Sequence, residues 1–181
     1  MSLRNSPNSY GSITKFFHWG IALVVYCMIA VGYLQQTISN EATQDTVYNY
    51  HMLCGLTILL LMVMRGSWRL SNPRVPLPST VPGWQQFIAR AIHFLLYLSL
   101  FLMPLSGWVM ATASGYPPKL FGMAMRMPGI HLNKALADQA ESVHGFIAIV
   151  LLVLIGLHML AAIKHHVIDK DNVLKRMLPS K

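Results

Sequence analysis

Four histidines, His18, His51, His144 and His158, stand inside or at the mouth of long apolar runs. An ionisable side chain is costly to hold in hydrocarbon, so its presence there points first to a functional site. His144 and His158 share one expected helix, fourteen residues apart. At about 1.5 Å and 100° per residue they lie about 21 Å apart along its axis and about 40° from eclipsed. One helix face therefore carries an imidazole near each side of a bilayer. His18 and His51 open two other apolar runs, and each supplies a partner at one of those depths. Neutral imidazole is a good ligand for iron and copper. Two imidazoles on opposite sides of a planar macrocycle complete the shell of haem iron, which leaves no open position for oxygen chemistry and suits electron transfer. Zinc fits poorly, because a tetrahedral site needs three or four ligands together. Here the ligands come as separated pairs, with no carboxylate or thiolate beside them.

The elements that must carry these histidines follow from composition. The 181 residues are 54% hydrophobic and only 11% charged, whereas soluble domains carry about 25% charged residues. One domain is expected over 1–181. Four apolar runs, at about 16–34, 48–64, 87–113 and 143–163, approach or exceed the roughly 20 residues that cross about 30 Å of hydrocarbon. The second is the shortest, with Arg65 and Arg69 snorkelling from its end. Pro104 is expected to bend the third, which a bundle tolerates where neighbours re-satisfy freed backbone groups. The first run resembles a secretory signal in part, but it is longer than a signal core, and cleavage would discard His18; it is read as a retained helix. The fold class is all-α, a four-helix transmembrane bundle, and facing helices of such bundles are usual holders of metals and cofactors.

Basic residues set the orientation. Arg4, Lys15, Arg65, Arg69, Arg74, Arg90, Lys164, Lys170, Lys175, Arg176 and Lys181 fall on one side, out of 14 in all. The 35–47 loop has no Lys or Arg, and only Lys119, Arg126 and Lys134 fall opposite. Both termini are therefore expected to be cytoplasmic. The net charge of +8 reflects this flanking pattern rather than a nucleic-acid patch. Threading the helices alternately pairs His18 with His158 at the cytoplasmic level and His51 with His144 at the outer one. The Pro-rich stretch 71–83 reads as an extended connector. The stretch 114–129 reads as a turn-rich outer loop, followed by a short interfacial helix around 134–142.

Other residues carry weaker signals. Gly55 lies four residues after His51 on the same helix face, where it would let a flat cofactor approach; close helix packing explains it equally well. Gly20 and Gly107 read the same way. His165 is a rival to His158 by angle but lies about 10 Å further along the axis, at the water boundary. His165 and His166 suit an interface, meeting water, lipid head groups or haem propionates, or else a quinone carbonyl. His93 starts the third helix and is read as a solvated interfacial histidine, with propionate or quinone contact as the alternative. Arg65, Arg69 and Arg90 match propionate geometry, though topology alone accounts for them. Lys119, Arg126 and Lys134 are placed to steer an anion on the outer side; an ordinary mixed loop is the competing reading. His131, in that loop, has no functional case. Cys27 and Cys54 lie within spans and form no Cys-x-x-Cys-His, which excludes covalent haem attachment.

Several segments together carry a family resemblance: Phe17-His18-Trp19, His51-Met52-Leu53-Cys54-Gly55, Ile92-His93-Phe94-Leu95-Leu96-Tyr97, Ile155-Gly156-Leu157-His158 and Lys164-His165-His166. The tail Asp169-Lys170-Asp171-Asn172-Val173-Leu174-Lys175-Arg176-Met177-Leu178-Pro179 is the most specific of them. Over nearly its whole length the chain resembles the bacterial cytochrome b561 family of small di-haem membrane proteins. The resemblance implies two haem b groups ligated by His18, His51, His144 and His158, an inner-membrane location, and exchange of electrons with ubiquinone in a respiratory chain. One branch of that family is a superoxide oxidase that passes the electron to quinone, so the resemblance points to an oxidoreductase of the superoxide:quinone type. The loops here differ from that branch, and a competing reading is a haem-bearing membrane anchor that conducts electrons for a periplasmic redox enzyme. A haem-free transporter is disfavoured by the lack of inverted repeats and intramembrane carboxylates.

Overall fold

The computed structural model describes residues 2–78 and 80–178. Pro179 and Lys181, part of the tail motif and of the basic pattern, lie outside the described residues. Four long helices dominate: α1 (Ser12–Leu34), α2 (Glu41–Leu70), α3 (Gly83–Ala113) and α4 (Lys134–Val167). Each is long and apolar enough to cross a membrane. Leu23, Phe94, Phe146 and Leu160 are among many large apolar side chains left on the outside, the pattern of helices solvated by lipid tails. The chain is a helical membrane bundle, as its composition predicts.

The helices outrun the apolar segments. Asn40 caps α2, its side-chain oxygen accepting the Thr43 N–H at 2.9 Å. Asn133 caps α4 in the same way, with the Leu136 N–H at 3.0 Å. Such caps satisfy amides that the first turn leaves open. As a result α2 begins at Glu41 rather than near 48, and the short separate helix expected over 134–142 is instead the opening of α4. Pro104 sits inside α3 without ending it.

The loop between α3 and α4 also holds an unforeseen element, a hairpin of β1 (Lys119–Leu120) and β2 (Met123–Ala124). Its two turn residues both have positive φ, Phe121 at 51° and Gly122 at 79°, as a two-residue primed turn requires. Asn49 of α2 holds the hairpin through two bonds, Nδ2 donating to the Lys119 carbonyl at 3.0 Å and Oδ1 accepting the Lys119 N–H at 2.6 Å.

Packing is uneven around the bundle. α4 lies closely along α3, α3 against α2, and α2 against α1, but α4 makes no comparable backbone approach to α1 or α2. What joins all four is a mid-bundle cluster of Ile21, Val25, Ile58, Met62 and Leu151, with Leu100, Phe101 and Ile155 packed on it. Met62 is wholly enclosed. Leu151 lies two helical turns from both His144 and His158, so the apolar cluster separates two histidine levels.

At one end of the bundle the N-terminal arm, the α2–α3 connector and the tail are laced together. Asn5 Nδ2 donates to the Pro73 carbonyl at 3.0 Å, and Arg176 Nη1 to the Pro76 carbonyl at 2.8 Å. Lys15 Nζ and Trp19 Nε1 donate to the carbonyls of Leu178 and Met177 at 2.7 and 3.0 Å. Both ends of the described chain therefore share one side of the bundle with the connector. Tyr10 is enclosed in this cap, and burial raises its phenol above the usual range against the pull of Arg69 and Arg176.

Candidate functional site

At the capped end, α1 and α4 leave a gap that their histidines face. The His18 and His158 ring centres are 6.0 Å apart. Two imidazoles sharing one metal, each nitrogen about 2 Å from it, have ring centres about 6 Å apart, so this separation fits a shared metal centre. His93 of α3 is the addition that sequence reasoning underrated: its ring stands 5.3 Å from His158, nearer than His18 does. Three helices therefore bring three imidazoles together, and Trp19 sets its ring edge against His18 at 5.1 Å. No one-dimensional period links residues on three helices, although the shared start of the third run at the same membrane face was a usable signal.

Two arginines border this cluster. Arg65 Nη2 lies 3.3 Å from His18 Nδ1. Because guanidinium only donates, this bond makes Nδ1 an acceptor and leaves the proton on Nε2. For His18 to offer Nε2 as a ligand, Arg65 must release that bond. Arg65 and Arg69 also lie over the Tyr97 ring, 5.2 and 5.0 Å from its centre, an attraction worth about 0.5–2 kcal/mol each. Both guanidinium groups are thus parked beside the histidines on a replaceable partner, suited to accept a carboxylate in fork geometry.

His165 and His166 lie in the last turn of α4. His165 Nδ1 is 2.6 Å from Asp171 Oδ2 and 3.2 Å from Asp169 Oδ2. Lys164 Nζ reaches the same Asp169 oxygen at 2.6 Å, and Asp171 Oδ1 accepts the Val173 N–H at 2.9 Å. These bonds fold the tail back and occupy one nitrogen of His165, leaving Nε2 for any further partner.

At the opposite end the second pair is built differently. His144 Nδ1 lies 3.0 Å from the Met103 carbonyl and 3.1 Å from Ser106 Oγ. Donation to a backbone carbonyl fixes the proton on Nδ1 and leaves the Nε2 lone pair for a metal, the usual arrangement behind a ligating histidine. The His144 ring lies against Gly107, where an added Cβ would meet Cε1 at 3.0 Å. His51 rests its ring on Gly32, where a Cβ would come to 3.4 Å. Its Nδ1 is enclosed with no hydrogen-bond partner, a costly state for a polar atom. A Cβ added at Gly55 would meet Pro104 at an ordinary 3.9 Å, while one at Gly20 would meet nothing within 4 Å.

Of the cations expected on the outer side, Lys119 and Arg126 are exposed on or beside the hairpin. Lys134 is tied to Asp138 at 3.1 Å, one turn on in α4, which offsets its charge locally.

The Nδ1-bound His144, the orphaned His51 nitrogen and the 6.0 Å between the His18 and His158 ring centres leave imidazole nitrogens suited to ligate a metal. Comparison with known proteins places the chain in a family. The family model for prokaryotic cytochrome b561 matches residues 9–180. Cytochrome b561 homolog 2 of Escherichia coli (strain K12) is 39% identical over 180 residues, covering 98% of this chain and 95% of that protein. A protein of Yersinia pestis named probable superoxide oxidase CybB is 32% identical over 179 residues, covering 95% and 97% of the two chains. Cytochrome b561 homolog 1 of Escherichia coli (strain K12) is 28% identical over 175 residues, covering 95% and 98%.

Proposed function

The chain belongs to the prokaryotic cytochrome b561 family, haem b proteins of membrane electron transfer, and from that premise we propose that it is a two-haem conduit between an outer one-electron donor and ubiquinone. His18 and His158 hold one haem at the capped end; His51 and His144 hold the other. The 6.0 Å approach of the His18 and His158 rings across the loosely packed side of the bundle is the observation that carries this reading. A bound b-type haem supplies a one-electron couple without an open coordination position.

The chain's own residues do the rest. Met103 orients His144, and the Ile58, Met62 and Leu151 layer keeps the interior between the two levels dry. Arg65 and Arg69 turn from Tyr97 to the propionates of the inner group. His93, beside His158, borders the same group or a quinone, and His165 and His166 stand at the adjoining water boundary. The basic residues of the arm, the connector and the tail put the capped end in the cytoplasm of a bacterial inner membrane.

On the outer side, Lys119 and Arg126 attract a small anion, and superoxide is the substrate that the similarity to the Yersinia protein suggests. Two superoxide ions each lose one electron and leave dioxygen, while one quinone gains two electrons and two protons. The test is the purified membrane protein given pulses of superoxide with and without ubiquinone. Two b-type haems per chain, reduced by superoxide and reoxidised by quinone, are expected. One haem per chain rejects the pairing, and haems inert to superoxide reject the substrate.

A further inference from the structure

Methionine ordinarily fills gaps in apolar cores, as the enclosed Met62 does here. Three others behave differently. Met123, Met125 and Met127 stand at alternate positions on the return strand of the hairpin and just after it. Met123 is 69% exposed and Met125 36%, and Met127 is partly open.

Their backbone is held firmly. Leu120 pairs with Met123 across the hairpin, and the Met125 N–H reaches the Pro118 carbonyl at 2.8 Å. Trp108 Nε1 donates to the Met125 carbonyl at 2.8 Å, and the Met127 N–H to Thr112 Oγ1 at 3.0 Å. Where the strand is extended, alternate side chains project to one side. Lys119 pairs with Ala124, which puts its charge on the face opposite Met123, and alternation sends Arg126 to that opposite face too. One face thus carries thioethers and Leu120, and the other carries the cations. Alternate residues of a strand are about 7 Å apart and Met123 and Met127 about 14 Å, spans that unbranched, freely turning methionine side chains close around one ion when the outer two reach inward.

We propose that Met123, Met125 and Met127 form a three-thioether site for Cu(I). Neutral, polarizable sulfur selects a soft cuprous ion and is a poor ligand for calcium, magnesium or manganese. The site lies near the outer histidine pair, because Trp108 directly follows Gly107, against which the His144 ring rests. It stands whether or not the haem assignment does, since none of its atoms belongs to the histidine pairs.

The experiment uses the haem-loaded protein carrying Cys27→Ser and Cys54→Ser, so that no thiol competes. Cu(I) is supplied anaerobically from its bicinchoninate complex, and the copper retained after desalting is counted. One Cu(I) per chain is expected, with sulfur scatterers in its X-ray absorption spectrum. Met123→Leu/Met125→Leu/Met127→Leu keeps the apolar bulk and loses the sulfur, so it should lose that equivalent while its haem spectrum stays unchanged. Equal copper in parent and triple variant, or none in the parent, overturns the proposal. Should the triple variant fail to fold, Ag(I) titration of methyl-labelled parent protein decides: shifts of three methionine methyl signals support the site, and unmoved signals refute it.

Discussion

The two histidine levels differ in how much of their geometry exists before any cofactor arrives. At the hairpin end His144 is already aimed, its Nδ1 bound to the Met103 carbonyl and its ring seated on Gly107. At the capped level three imidazoles crowd together, and an arginine occupies the nitrogen of His18. Preorganisation favours tight, specific binding, whereas surplus ligands and movable arginines favour adaptability. The hairpin-end level is therefore the rigid holder, and the capped level the adjustable one.

The sharpest break of that comparison is ligand removal. His144→Ala should abolish the outer haem, halving the haem content in a pyridine haemochromogen assay, because no spare imidazole lies at that level among the described residues. His18→Ala should retain part of the inner haem, with His93 standing in from 5.3 Å off His158. His18→Ala/His93→Ala should lose it. Equal losses from His18→Ala and His144→Ala remove the distinction between the levels.

Smaller changes sharpen it. Met62→Ala opens a cavity in the layer that joins the helices and should cost about 2–5 kcal/mol in a detergent-unfolding titration, loosening both levels alike. Gly107→Ala puts a methyl 3.0 Å from His144 Cε1; it should shift the midpoint potential of the outer haem in a redox titration and leave the inner one in place. Least of all, Phe121→Asn should stabilise the hairpin by about 1 kcal/mol, since asparagine adopts positive φ more readily than a bulky aromatic. A thermal melt of the apoprotein measures it.

Lipid makes part of this molecule easy to read from sequence. Four apolar runs and their flanking charges foretell the bundle, because backbone in hydrocarbon has few alternatives to helix. The helix ends were less legible, since α2 and α4 extend through polar residues into water. Asn40 and Asn133, both capping residues, were the available markers. The hairpin was hidden because Phe121 gives no turn signal and Gly122 alone is weak. His93 was expected at the end of the bundle that holds His18 and His158, but its approach to His158 depends on how α3 packs against α4, which no pattern along one helix encodes. The local pairing of Lys134 with Asp138 was readable from their spacing in α4, once that helix is known to start at Lys134.

The lacing of Trp19 and Lys15 to the carbonyls of Met177 and Leu178 bears on biosynthesis. The first membrane helix is made long before its final partners are translated, so this lacing closes only after about 160 further residues have been added. Until then the capped end stays unlaced, and tying it is among the last acts of assembly.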